Sequence, residues 1–394
     1  MQVFTLDQID GINPLQWNQA AGSNNPFLKH EFLLALEQHG CVGEETGWIP
    51  RHQILQDDSG TVLGATPMYL KTNSYGEFVF DWAWADAFER TGRRYYPKMV
   101  AAIPYTPANG PRLLVNPLAD RAIVARMLIK NILETATDAG LSSVHYLFTS
   151  DEDTKDLVER GFMRRTGCHF HWHNQGYTDF EDFLADLSSK KRKQIRRERR
   201  QVRDAGIEMR IITGAEATDV QWQIMHYFYC STFERKSGIP TLTLEFFREI
   251  SRTMGDEVIL VFAYRHGEPV AGAINLRGTD TFYGRHWGCL EYHNSLHFET
   301  CYYQGIDYCI RHGLSRFEPG AQGEHKLSRG FLPTLTWSAH WIADEQFREA
   351  IHRYLQHEHD AILDYRTEMM DHSPYRDTLD PVDSGSSPSG KITN

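Results

Sequence analysis

The run Val258-Ile259-Leu260-Val261-Phe262-Ala263-Tyr264 is apolar or aromatic throughout, which predicts a strand covered on both faces. It stops at the turn signal Arg265-His266-Gly267-Glu268, then resumes as Val270-Ala271-Gly272-Ala273 and Ile274-Asn275-Leu276, the pattern of a hairpin. An earlier stretch has the same form. Asp57-Asp58-Ser59-Gly60 makes a turn, and Val62-Leu63-Gly64-Ala65 opens a strand that continues through Met68-Tyr69-Leu70, an offset of 208 residues. Further on, a helical pattern closes at Gly140-Leu141-Ser142 and enters the strand Val144-His145-Tyr146-Leu147-Phe148; its counterpart closes at Gly313-Leu314-Ser315 and enters Arg316-Phe317-Glu318, offset by 173. Glycine just past a helix is a stop signal. Finally, Arg160-Gly161-Phe162 and His171-Trp172 recur as Arg329-Gly330-Phe331 and His340-Trp341, offset by 169. Three matches in one order predict two α/β units born of a duplication. The falling offset gives the first unit 35 extra residues, in an aromatic-rich region from about 81 to 117.

Between the units the apolar spacing narrows to a thin stripe, Leu184, Leu187, Ile195 and Val202, with Ser188 or Ser189 able to cap a helix. From Lys190 to Arg203 there are nine basic residues and one acid. That charge predicts a helix docked by one edge, with Lys190, Lys191, Arg192, Lys193, Arg196, Arg197 and Arg200 presented to a polyanion such as RNA or a nucleotide-linked substrate. The whole chain is nevertheless acidic: taking this +8 from the net −11 leaves −19 elsewhere. A globally basic nucleic-acid coat is excluded, and the cations are concentrated in one place.

Composition narrows the class further. With 41% apolar and 12% aromatic residues in 394 positions, the chain has material for two folded domains. No apolar run approaches the ~18 residues of a membrane span. The start, with Asp7 and Asp10, lacks a basic-then-apolar leader. Six cysteines without Cys-x-x-Cys spacing read as free thiols, so the expected location is the cytoplasm. The stretch from Asp371 to Asn394, rich in Ser, Pro, Asp and Gly, is expected to be a disordered tail. The expected domains are therefore 1–176, 177–370 and a tail from 371 to 394. No Gly-x-Gly-x-x-Gly follows a strand, and no phosphate-loop motif is present, so a doubly wound nucleotide-binding sheet is disfavoured.

The order of elements, with Gly-Phe leading into a last strand, resembles the GNAT acyltransferase fold. Leu187-x-x-Lys190-x-Arg192-x-x-Ile195-Arg196 resembles the basic helix that opens the second domain of the Fem transferases, and Gly323-Glu324-His325-Lys326-Leu327-Ser328-Arg329-Gly330-Phe331 resembles a signature near the end of that domain. The strings from Tyr75 to Asp86 and from Phe317 to Lys326 are similar to the FemAB-like branch of bacterial predicted N-acyltransferases. Leu327-Ser328 stands where the peptidoglycan enzymes have an aromatic-lysine pair. The resemblance implies an α/β (α+β) protein of tandem duplicated GNAT-like domains, each a mixed twisted sheet with flanking helices. It also implies transfer of an aminoacyl or acyl group, from aminoacyl-tRNA, to an amine on a small molecule or peptide in a cleft between the domains.

Transfer of this kind needs a deprotonated amine, hydrogen-bond donors for the oxyanion, and alignment of the two reactants. The expected donors are backbone N–H groups within Tyr283-Gly284-Arg285-His286-Trp287-Gly288, where the glycines let the strand bulge. Lys326, at the position matching the family's basic residue, is the first side-chain candidate. Glu318, Glu324 and His325 are candidates for base or orienter, and Arg285 for holding a donor phosphate or carboxylate. Asp81, Trp82, Trp84 and Asp86 are the acceptor-binding candidates. His169, His171 and His173 share one face of a strand, but nothing in the sequence surrounds them with further ligands, so no metal is expected, and a packing or cleft-lining role is. No tightly bound cofactor and no DNA partner are expected. An acyl-CoA donor is the alternative; the stretch Leu290–Glu299, where a pyrophosphate loop would fall, contains no glycine. The alternative from another class is a non-catalytic protein that binds RNA or an anionic precursor.

Overall fold

The computed structural model describes residues 1–321 and 323–376. Among these, eleven strands form one sheet, in the order Ile207–Thr213, Val258–Arg265, Glu268–Arg277, Thr281–Cys289, Arg316–Glu318, Met163–His173, Leu332–Ile342, Ser143–Thr149, Lys98–Ala101, Met68–Lys71 and Trp48–Pro50. A smaller sheet joins Gln2–Leu6, His52–Gln56, Val62–Thr66 and Leu114–Val115. The fold is the tandem GNAT-like α/β architecture that the resemblance implied; the strand expected to run from Val62 through Leu70 is instead split at Pro67, with Val62–Thr66 in the small sheet and Met68–Lys71 in the large one.

The repeat is visible in the backbone. Gly140 and Gly313 end their helices at φ +63° and +64°, and Gly161 and Gly330 precede the last strand of each half at φ +90° and +96°. These are left-handed conformations that a side chain would strain. Phe162 and Phe331, the residues that follow, are both buried. The apolar run from Val258 becomes the buried strand Val258–Arg265.

Each half passes its last strand to the other. Met163–His173, from the first half, pairs with Arg316–Glu318 of the second; Leu332–Ile342, from the second half, pairs with Ser143–Thr149 of the first. The two exchanged strands then pair antiparallel with each other, from Leu332↔His171 to His340↔Met163. A core shared by both halves adds to this join: Phe27 meets Tyr283 edge-on at 5.1 Å between ring centroids, and Phe32 meets Phe246 at 5.5 Å. Such aromatic pairs add to the stabilisation from apolar burial.

The charged segment is the helix Ser189–Asp204, separated from the short helix Phe180–Asp186 by a break at Leu187–Ser188. It docks by Ile195, Glu198 and Val202. Composition placed the tail from residue 371, but Asp371 closes the helix Glu345–Asp371, and Pro374 and Tyr375 are buried against the body. Tyr375 is buried and donates to the Gly330 carbonyl at 2.8 Å, and the Ser188 and Arg376 N–H groups donate to Pro374 and Asp186 carbonyls. The rest of the expected tail, 377–394, lies outside the described residues.

Candidate active site

Two strand pairs in the large sheet run parallel, Thr281–Tyr283 with Arg316–Glu318 and Met99–Ala101 with Val144–Tyr146. Pairing stops early in both, so the strands part. In the first half the gap is filled from within. Gly110 bridges Thr149, and the fully buried Arg112 guanidinium holds the segment by donating to the carbonyls of Ala108, Gly110 and Pro111.

In the second half the gap keeps a narrow cleft of about 10 Å³, room for about one water. Tyr283, Gly284 and Arg285 line one side and Glu318 and Gly320 the other, while Pro107 and Ala108 of the first half and His169 and His171 of its exchanged strand complete the wall. The strand Thr281–Cys289 bulges here: Ile274 faces His286 but Asn275 faces Gly284, so Arg285 is the extra residue. Gly284 suits the place, because a Cβ there would come within 3.3 Å of both Phe317 and the Pro319 backbone and narrow the gap. Gly288 serves packing: a Cβ would lie 1.8 Å from the Phe228 carbonyl oxygen.

Glu318 ends its strand at the point of parting. It is 4% exposed, and burial raises its carboxyl above the usual range although Arg316 pulls the other way. Its Oε2 accepts from the Asn109 N–H at 3.2 Å and from Asn109 Nδ2 at 3.4 Å. Arg316 Nε lies 3.2 Å from Oε1 but is not aligned as a donor, so Oε1 has no hydrogen bond among the described residues. A buried carboxyl with a free oxygen in a cleft is suited to taking a proton.

Lys326 is buried one layer behind the cleft. Its Nζ donates to the Gly320 carbonyl at 2.7 Å, and burial lowers its ammonium to about 8. Its charge reaches His169 and His171. Burial, with Lys326, holds His169 at about 4; burial, with Arg316, His169, His173 and Lys326, holds His171 well below the usual imidazole range. Both rings are therefore neutral near pH 7. Among the described residues no three His, Cys, Asp or Glu side chains group as metal ligands.

The remaining candidates fall elsewhere. Glu324 is exposed and accepts from Tyr365 at 3.0 Å, and His325, also exposed, meets the Tyr302 hydroxyl at 2.8 Å. Arg285 lines the cleft, but its guanidinium donates to the Tyr105 carbonyl and Thr106 Oγ1, tying the cleft strand to the first-half loop. Asp81 is buried and already holds an ammonium, that of the buried Lys98, while accepting from Ser74 and Tyr95; Lys98 also donates to Glu77 at 2.8 Å. Burial pushes the Asp81 carboxyl up, but Lys98, His145 and the Ser74 hydroxyl together outweigh it and hold it at about 2. Trp84 packs edge-on against His340, whose Nδ1 meets His145 Nδ1 at 2.7 Å. Trp82 and Asp86 reach the surface. Asp81 and Trp84 thus belong to a buried network under the first half.

The cationic helix packs against the turn that carries Lys326, through Glu198 and Arg329. Arg196 and Arg199 pair with Glu181 and Glu299, and Arg192 donates to carbonyls that end the preceding helix. Lys190, Lys193, Arg197 and Arg200 are exposed on one face, and among the described residues no carboxylate lies within ion-pairing distance of them. Lys191 is half-buried beside Lys190 and Arg329, and burial lowers its ammonium.

Sequence reasoning placed Glu318, Gly284 and Arg285 at the cleft. His169 and His171 were legible only as packing or cleft-lining residues, and Pro107, Ala108 and Asn109 carried no signal, because they reach the site through the pairing of two halves. Among the described residues no helix is long and apolar enough to cross a membrane.

Comparison with known proteins agrees with this architecture. The model of the FemAB-like family, described as peptidoglycan biosynthesis/recognition, matches residues 8–377. No curated protein matches the chain. Among solved structures, FemX is similar at 10% identity and TM-score 0.55, covering 89% of this chain and 100% of its own. The C-terminal domain of a putative lysylphosphatidylglycerol synthetase from Agrobacterium fabrum is similar at 8% identity and TM-score 0.54, covering 86% and 95%. L-PGS from Bacillus licheniformis is similar at 11% identity and TM-score 0.51, covering 84% and 98%. At these identities the likeness is one of fold.

Proposed function

The chain belongs to the FemAB-like family, and from that premise we propose that it is an N-acyltransferase, taking an aminoacyl group from aminoacyl-tRNA to a primary amine in the cleft between its halves. The observation that carries this reading is the parting of Thr281–Cys289 from Arg316–Glu318 beside a buried carboxyl, with a cationic helix on the adjoining turn. The acyl carbonyl enters the gap at the bulge around Arg285. Lys190, Lys193, Arg197 and Arg200 attract the phosphates of the carrier. Glu318 takes the proton that the attacking amine releases, and a carboxyl raised by burial is a better base near neutral pH than an exposed one. Lys326 acts through the wall, fixing the Gly320 carbonyl and keeping the cleft positive. The acceptor, a small molecule or peptide bearing the amine, approaches from the first half.

The test is a side-by-side assay with labelled aminoacyl-tRNA and labelled acyl-CoA over a pool of primary amines. Amide formation from the charged tRNA, abolished in Lys326→Ala and Glu318→Gln with tRNA affinity retained, is the expected result. Transfer from acyl-CoA alone would replace the donor, and tight RNA binding without any transfer would make the protein a non-catalytic binder.

A further inference from the structure

The cleft holds two side chains with no assigned role. His169 and His171 line it beside Glu318 and Gly320. His171 is 3% exposed, and its Nδ1 is sealed from solvent without a hydrogen-bond partner among the described residues. Neither ring makes any hydrogen bond within the described protein; their neighbours are each other, at 6.3 Å between centroids, with Phe148 beside His169 and His173 beside His171. Buried polar groups are nearly always paired, and an imidazole that makes no hydrogen bond while lining a cleft has an N–H to offer to a ligand atom that enters it.

From this geometry we infer that His171 is an oxyanion donor, a side chain that the first half contributes to the second half's acyl-transfer centre through the exchanged strand. The inference rests on the reading above. The amine nitrogen attacks the ester carbonyl carbon, and as the C–N bond forms the electron pair moves to the carbonyl oxygen, where the His171 N–H holds it. The pair returns as the bond to the ribose oxygen breaks, and the proton released by nitrogen ends on that departing oxygen. A donor must keep its proton and stay neutral, and the groups facing His171 suit this. Lys326 and Arg316 are cationic, His169 and His173 are neutral imidazoles, and Glu318, next in register on the adjoining strand, is tied through Oε2 to Asn109. A neutral imidazole acting as electrophile is a known catalytic arrangement.

The experiment compares wild type, His171→Ala and His171→Asn, whose amide N–H replaces the ring donor. Loss of one oxyanion donor lowers kcat by about 10²–10³-fold. The expected result is that loss in His171→Ala with KM within threefold, recovery of at least tenfold in His171→Asn, and a wild-type kcat profile with no titration assignable to His171 between pH 5.5 and 8. Circular dichroism checks that both variants fold. Equal kcat in His171→Ala, a loss confined to KM, or no recovery in folded His171→Asn would overturn the inference while leaving the transferase reading intact. A wild type that transfers from neither donor would overturn both.

Discussion

Replacing Arg329 by leucine tests how the cationic helix is fastened to the catalytic turn. Arg329 and Glu198 are joined at 2.9 Å with side chains only 5% and 8% exposed. Glu198 also accepts from Gln194 and the Tyr303 hydroxyl, and the Arg329 guanidinium lies 3.3 Å from the Phe298 ring centroid. At 2.9 Å the attraction between the two charges is about 6 kcal/mol for an effective dielectric near 20, most of it offset by desolvation. Removing one partner is different, since the other stays buried and uncompensated at a cost of about 3–5 kcal/mol. Arg329→Leu and Glu198→Leu should therefore each destabilise by that amount, while the double variant should cost clearly less than their sum, giving a coupling of ~2 kcal/mol or more. Hydrogen exchange read by mass spectrometry over residues 189–204 and 324–331 measures the local opening, and urea unfolding measures the rest. Single losses below about 1 kcal/mol, or additive ones, would refute the anchoring role.

Three further outcomes follow from the site. Reversing Lys193, Arg197 and Arg200 to Glu should abolish tight tRNA binding and reduce the salt slope by roughly 2–3, counted at ~0.7–0.9 per phosphate contact; an unchanged slope in filter binding would place the RNA elsewhere. Lys326 is held at about 8 when folded against 10.5 when free, so the unfolded chain binds the extra proton between these values and stability should rise with pH across that window. Unfolding of wild type against Lys326→Met should show a relative gain of up to about 2–3 kcal/mol from pH 8 to 10.5, and a flat difference would contradict the burial. Gly288→Ala should fail to accumulate as folded protein, because its Cβ meets the Phe228 carbonyl, whereas Gly284→Ala should fold and lose transfer; thermal melts and turnover of the two variants decide it.

Part of this was legible because it is local. The hairpins, the Gly-Phe entry into each last strand, the glycine helix stops and the cationic helix depend on neighbours within a few residues, where periodicity and backbone preference act. The bulge at Arg285 could be anticipated from its flanking glycines for the same reason. Asp81 and Trp84 show the limit. Their alternating pattern fitted an acceptor site, but only the fold brings Lys98 against Asp81 and His340 against Trp84.

The amino-acid order alone determined that there are two related units, where the hairpin of each lies, and where positive charge is concentrated. Tertiary structure alone decided that the units exchange their last strands, that the first half's gap is filled while the second's keeps a narrow cleft, and that His171 and Asn109 are brought beside Glu318. The reason is physical. These arrangements are set by contacts between residues tens to hundreds of positions apart, whose energies depend on register and desolvation that no local pattern encodes.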